Sequence, residues 1–169
     1  MKMRNIALKK FTVSIIIAVV LLVIIIIVII NMASNNSIQE VDTHVLEYIE
    51  STVCLSASTS ERTTFCAAKV IGDDRNHLYL YVYKADYFYE GQSISCVGVE
   101  MFPMSLEVEY SGNYVDIIGY SMPSEGAQYG SSMRKIFPNS IIKQISLLTQ
   151  EDFSHLESLA DERAQLMMD

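Results

Sequence analysis

Residues 11–30, FTVSIIIAVVLLVIIIIVII, carry no charge and only two hydroxyls, Thr12 and Ser14. A helix of that length spans about 30 Å, the thickness of a bilayer's hydrocarbon core. A core helix of a water-soluble protein keeps a polar stripe, and this stretch has none. In lipid every backbone polar group must be satisfied within the segment, which imposes a helix even on a β-branched sequence. The stretch therefore predicts a transmembrane helix.

Charge orients it. Lys2, Arg4, Lys9 and Lys10 precede the span, while NMASNNSIQEVD follows with acids and no base. The basic flank stays on the cytoplasmic side, so the rest of the chain is expected outside. A cleaved leader is disfavoured: the apolar run is too long, and Asn31 stands where a small residue is wanted ahead of a cut after Ala33. The expected organisation is a cytoplasmic tail over 1–10, a signal anchor over 11–30, a tether over 31–36 and one extracytoplasmic domain over 37–169.

The formal charge of −8 conceals an asymmetry. The first ten residues hold four of the chain's 12 bases and none of its 20 acids, so the remainder stands at −12. A surface of that sign repels phosphate, which argues against nucleic acid and anionic lipid as partners. Anchoring through residues 11–30 and a protein partner are the expected associations.

The outer region shows two periodicities. SIQE at 37–40 has the form of a capping box, and Ile38, Val41, Val45, Tyr48 and Ile49 follow at helical spacing, predicting a helix from about Ile38 to about Thr52. LSASTSERTT reads as loop and FCAAKVIG, 65–72, as strand. DDRN, 73–76, is a turn, and from His77 to Lys84 apolar and aromatic residues alternate strictly. SISCVGVEM, 93–101, is a further strand; LEVEY and YVDIIGY flank SGN as a hairpin. Tyr129, Met133, Ile136 and Phe137 then fit a short helix stopped by Pro138, Ile141 to Leu148 fit a second, and Thr149 with Asp152 caps a third. The predicted class is α+β: a transmembrane helix, one helix, an antiparallel meander of about four to five strands, and C-terminal helices.

Candidate chemistry is sparse. The histidines, His44, His77 and His155, match no metal or triad spacing, and no phosphate-loop, zinc or nucleophile-elbow motif occurs. Neither a catalytic residue, a metal ligand nor a cofactor is assigned. DDRNH brings two carboxylates near an imidazole, which a hairpin turn explains without a metal. Cys54, Cys66 and Cys96 form no Cys-x-x-Cys pair. Cys54–Cys66 would close a short loop, Cys66–Cys96 would need adjacent strands, and simple buried thiols are an equal alternative.

The stretch HLYLYVYKADYFYEG holds five of the ten tyrosines. Leu78, Leu80 and Val82 share one strand face, and Tyr79, Tyr81 and Tyr83 the other, with Tyr114 and Tyr120 candidates for the same face from a later strand. These five tyrosines are the candidate binding face. Packing under the helices is the favoured reading and an open aromatic platform the minority one.

MPSEGAQYGSSMRKIFP, 122–138, is the most distinctive segment. Gly126 permits a left-handed turn, and Tyr129, Met133 and Phe137 fall on one helix face, the side expected to plug the core. With YLYVYKADYFYEG, its Pro123, Glu125, Gly126, Tyr129, Phe137 and Pro138 resemble a poorly characterised extracytoplasmic α+β domain of anchored Gram-positive-type bacterial proteins. That pattern is Pro-x-Asp/Glu-Gly-x-x-Tyr followed by a helix ending in Phe-Pro. Similar regions form tails of antibiotic-sensor-type membrane metallopeptidases. The three cysteines and Ser124 depart from the pattern. The resemblance implies location and fold, and no activity. The expected function is a non-enzymatic binding, sensing or interaction module; the alternative is a structural subunit of an envelope or secretion complex.

Overall fold

The computed structural model describes residues 41–54, 62–91, 93–111 and 114–167. The predicted span at 11–30, the tether and the SIQE capping box lie outside these residues. Among the described residues no helix is long and apolar enough to cross a membrane.

The domain is α+β. Four antiparallel strands, β1 (Arg62–Asp73), β2 (His77–Glu90), β3 (Ser93–Ser111) and β4 (Tyr114–Ser121), lie in the order of the chain. Helix α1 (Thr43–Tyr48) precedes them and runs into a π-helical turn, Ile49–Val53. After β4 come a 3₁₀ turn at Gly126–Gln128 and the helices α2 (Tyr129–Ile136), α3 (Asn139–Ile145) and α4 (Gln150–Leu166). Among the described residues the first helix starts at Thr43, later than the Ile38 that the helical spacing predicts. Asp42 is its N-cap, accepting the His44 N–H at 3.0 Å. The Thr149–Asp152 capping box opens α4 as predicted.

Two sequence periods become three layers. Even-numbered residues of β2 (Leu80, Val82) join Cys66, Ala68, Met104, Leu106 and Val108 under Val41, Val45, Ile49 and Cys54 of the α1 segment. Odd-numbered residues take the opposite side. Tyr83, Ala85 and Tyr87 pack with Phe65, Ala67 and the α4 residues Leu156, Ala160 and Ala164. Tyr79 packs with Met133, Phe137 and Ile141 of the α2–α3 region. Small side chains on α4 and on the strands bring helix and sheet close, and the aromatic rings fill what remains. Each fully buried Leu or Phe contributes about 1.5–3 kcal/mol through area removed from water.

Two predicted strands are one. SISCVGVEM and LEVEY both belong to β3, which continues through Pro103, the register partner of Tyr81. The β3–β4 pairing begins only at Ser105. Cys66 bonds outward from the sheet (below), and counting the alternation from its partner Lys84 across β2 turns the Pro103 nitrogen away from β2 as well. The missing N–H therefore costs no ladder bond.

Candidate functional site

The tyrosine row is a packed interface over most of its length. Tyr79 and Tyr83 are 4% and 5% exposed beneath the helices. Tyr81 is half-buried, its ring 5.7 Å from that of Phe153. The hydroxyls of Tyr79 and, further along β2, of Tyr87 and Tyr89 are engaged within the chain: Tyr79 donates to Asp74 at 2.8 Å, Tyr87 to Asp161 at 2.5 Å, and Tyr89 to the Ala164 carbonyl at 3.2 Å. Burial, aided by the Asp74 carboxylate, pushes the Tyr79 phenol up to about 12. Burial, with Glu157 facing it, does the same for Tyr83, to about 12. The minority reading of Tyr79, Tyr81 and Tyr83 as an open platform is thereby corrected: helices α2 to α4 occupy that side.

From the later strand, Tyr120 does not continue the row. Tyr114 opens β4 in register with Ser111, and its side chain lies outside what the structure describes. Tyr120 is exposed and pairs with Leu106, a residue of the α1-side core. A bulge between Glu107 and Val108 breaks the parity of β4, so counting by twos from Tyr114 does not reach the same side.

Of the DDRNH segment, Asp74 does the structural work. Its carboxylate accepts the backbone N–H groups of Asn76 and His77, both at 2.9 Å, as well as the Tyr79 hydroxyl, and lies 3.1 Å from His77 Nδ1. The Asn76 N–H and the Tyr79 hydroxyl hold the carboxyl at about 2. This is an Asx-type turn, as the sequence predicts. The outer side of the same turn borders a hollow of about 210 Å³ lined by His77, Ser105, Glu107, Tyr120, Ser121, Lys135 and Ile136. It is polar, and smaller than the roughly 300–1,000 Å³ of ordinary ligand pockets.

Segment 122–138 divides between core and surface. Gly126 has φ of 66°, the left-handed turn expected of it. Met133 and Phe137 are buried, with the Phe137 ring 5.9 Å from that of Tyr79. Tyr129, expected with them in the core, is 44% exposed: the 3₁₀ turn before α2 places it at the rim.

The cysteines separate into a pair and an outlier. Cys54 Sγ and Cys66 Sγ lie 3.3 Å apart in the α1-side core. Cys96 is exposed on β3, opposite Tyr87. Cys66 belongs to β1 and Cys96 to β3, with β2 between them. Two strand spacings, about 10 Å, exclude the Cys66–Cys96 bridge that adjacent strands would have allowed.

One surface feature escaped sequence reading. Among the described residues, the stretch of β3 before Ser105 pairs with β2 alone. Val97, Val99 and Met101 are 51%, 48% and 45% exposed there. Val99 and Met101 pair in register with Ala85 and Tyr83, which α4 covers, so the cover ends one strand short. The alternation in SISCVGVEM was legible; the width of the helical layer was not.

No protein-family model matches this chain, and comparisons with curated proteins and with solved structures return no match.

Proposed function

We propose that this protein is a single-pass, membrane-anchored interaction module. Its α+β domain stands outside the membrane and engages a protein partner without catalysing a reaction. Location rests on the order of four bases, 20 uncharged residues and an acidic remainder. The Pro123–Pro138 resemblance points the same way.

The observation that carries the interaction reading is the β3 overhang. Val97, Val99 and Met101 project apolar surface from the stretch of β3 before Ser105, whose outer edge no other described strand pairs. Such edges are templates for strand addition, in which main-chain bonds supply affinity and alternate side chains supply selectivity. The net acidity of the outer region favours a partner that is neutral or basic at the contact.

A photocrosslinking side chain placed at Val99 in intact cells tests this. Formation of a discrete adduct, absent when the same group replaces the exposed Glu151 on α4, is the expected result. Equal labelling at both positions, or none at Val99, overturns the interaction reading. Adducts extending into a detergent-resistant ladder would instead favour the structural-subunit alternative. Protease added to cells stripped of their wall checks location separately: loss of residues 31–169 is expected, and a protected C-terminus refutes it.

A further inference from the structure

We propose that Cys54 and Cys66 form a disulfide that staples the α1 segment to β1 and holds closed the α1-side face of the sheet, with Cys96 left outside the pair. The inference rests on the extracytoplasmic location argued above for its oxidising surroundings, and on geometry for its choice of partners.

Cys54 ends the π turn, where its N–H donates to the Ile49 carbonyl at 2.9 Å. Cys66 sits within β1, in register with Lys84. Their sulfurs face each other at 3.3 Å, 4% and 0% exposed. The surroundings fix both partners. Glu50 accepts the Cys66 N–H at 2.7 Å, so the turn that carries Cys54 is already tied to the residue it would bond. The described cover on this face is short, consisting of Val41, Val45, Ile49 and Cys54 from one helical segment. A cross-link at the end of that segment restricts the unfolded chain and keeps the segment seated.

The chemistry is thiol–disulfide exchange with an external low-molecular-weight disulfide. The thiolate of one cysteine of the pair attacks one sulfur of that molecule and expels a thiolate. The other cysteine then loses its proton and attacks the first cysteine's sulfur, expelling the second half. One S–S bond forms in the protein, one breaks in the oxidant, and the two thiol protons pass to the two released thiols. The Cys66 hydrogen bond and, more weakly, the Lys84 ammonium favour the Cys54 thiolate against the cost of burial, whereas the same sulfur contact and burial push the Cys66 thiol up. These shifts belong to the docked pair and do not select which sulfur attacks first. Because both are buried once α1 is docked, exchange precedes docking during folding.

The test uses the full chain in detergent, unfolded with reductant, then refolded in a mixture of oxidised and reduced glutathione. After acid quenching and unfolding, a maleimide should add once, at Cys96, and a digest should contain the Cys54 peptide joined to the Cys66 peptide. Adducts at all three thiols, or a linkage that includes Cys96, overturn the proposal. Reduction should then lower the melting temperature by roughly 10 °C. The double variant Cys54→Ala, Cys66→Ala should not respond to reductant, which separates loss of the bond from loss of packing. A wild-type melting temperature insensitive to reduction overturns the stapling role. Maleimide blocking directly in cells distinguishes the two proposals. A linkage that forms on refolding but is missing in cells counts against the outside location, while the pairing stands on the refolding result.

Discussion

At the β1 edge of the sheet, side chains from both helical layers meet over the backbone. Glu50, from the α1 side, accepts the Cys66 N–H, and Arg163, from α4, donates to the Cys66 carbonyl at 2.6 Å and to Glu50. The Arg163 guanidinium also lies 5.6 Å from the Phe65 ring centre. Further along, Lys69 bonds Asp152 at the start of α4. At the other edge β3 runs beyond β4 with Val97, Val99 and Met101 exposed. A charged link there, Lys84 to Glu100 at 2.8 Å, joins β3 back to β2. Both edges carry backbone groups that a foreign strand could pair. Among the described residues only the β1 edge is sealed in this way: charged side chains close it, and the β3 overhang is left without such a cover.

The contrast can be broken first on the covered side. Phe137→Ala removes the ring that packs on Tyr79 and should cost about 3–5 kcal/mol in urea unfolding of the domain. A variant as stable as wild type would mean that α2 and α3 do not hold the tyrosine side closed. Next is the seal itself. Glu50→Ala leaves the Cys66 N–H without its acceptor and strips the Arg163 guanidinium of its carboxylate, leaving it the Cys66 carbonyl, and should cost about 2–3 kcal/mol by the same measurement. Residual solvent access, 18% for the Glu50 side chain and 24% for Arg163, keeps the loss below that of a fully buried pair. An unchanged midpoint would reduce the seal to a surface contact.

Acid should loosen the same closed region. Burial alone would raise the Asp152 carboxyl, but the Lys69 ammonium and Thr149 outweigh it and hold it at about 2. A depressed carboxylate contributes stability above its unfolded value of 3.8, and loses it as pH falls from there toward 2. The expected contribution is about 1–2 kcal/mol after allowance for screening. Asp152→Asn should flatten the pH–stability curve between about pH 4 and 2. A variant whose curve overlays wild type there removes Asp152 from the account.

The smallest effect on stability belongs to the open edge. Val99→Lys should change unfolding by no more than about 0.5 kcal/mol, since the side chain is half in water already. It should nonetheless abolish crosslinking from the neighbouring Met101 position. The register partner Ala85 supplies the contrast: Ala85→Leu crowds the fully buried α4 contact and should cost about 1–3 kcal/mol. Equal losses at Val99 and Ala85 would show that the overhang is covered after all.

Alternation and helical spacing alone determined the meander, the division of β2 into a Leu80–Val82 side and a Tyr79–Tyr83 side, the Asp74 turn, the positive-φ turn at Gly126 and the capping of α4 by Thr149. Each is a local consequence of residue chemistry: which neighbours a side chain can face, and which backbone angles it permits. The charge asymmetry about residues 11–30 is equally local, and it supports the topology proposed here. What only the tertiary structure decided concerns partners far apart in the chain. Pro103 sits inside a strand because β4 stops short of it. The bulge at Glu107–Val108 detaches Tyr120 from the tyrosine row. Glu50 finds Arg163 across 113 positions of sequence. Cys66 meets Cys54, and not Cys96, because β2 lies between β1 and β3. Val99 remains exposed while Ala85 is covered because α4 is one helix wide and the sheet is four strands wide. Periodicity states which side of a strand is apolar; it carries no information on whether a helix reaches far enough to cover it.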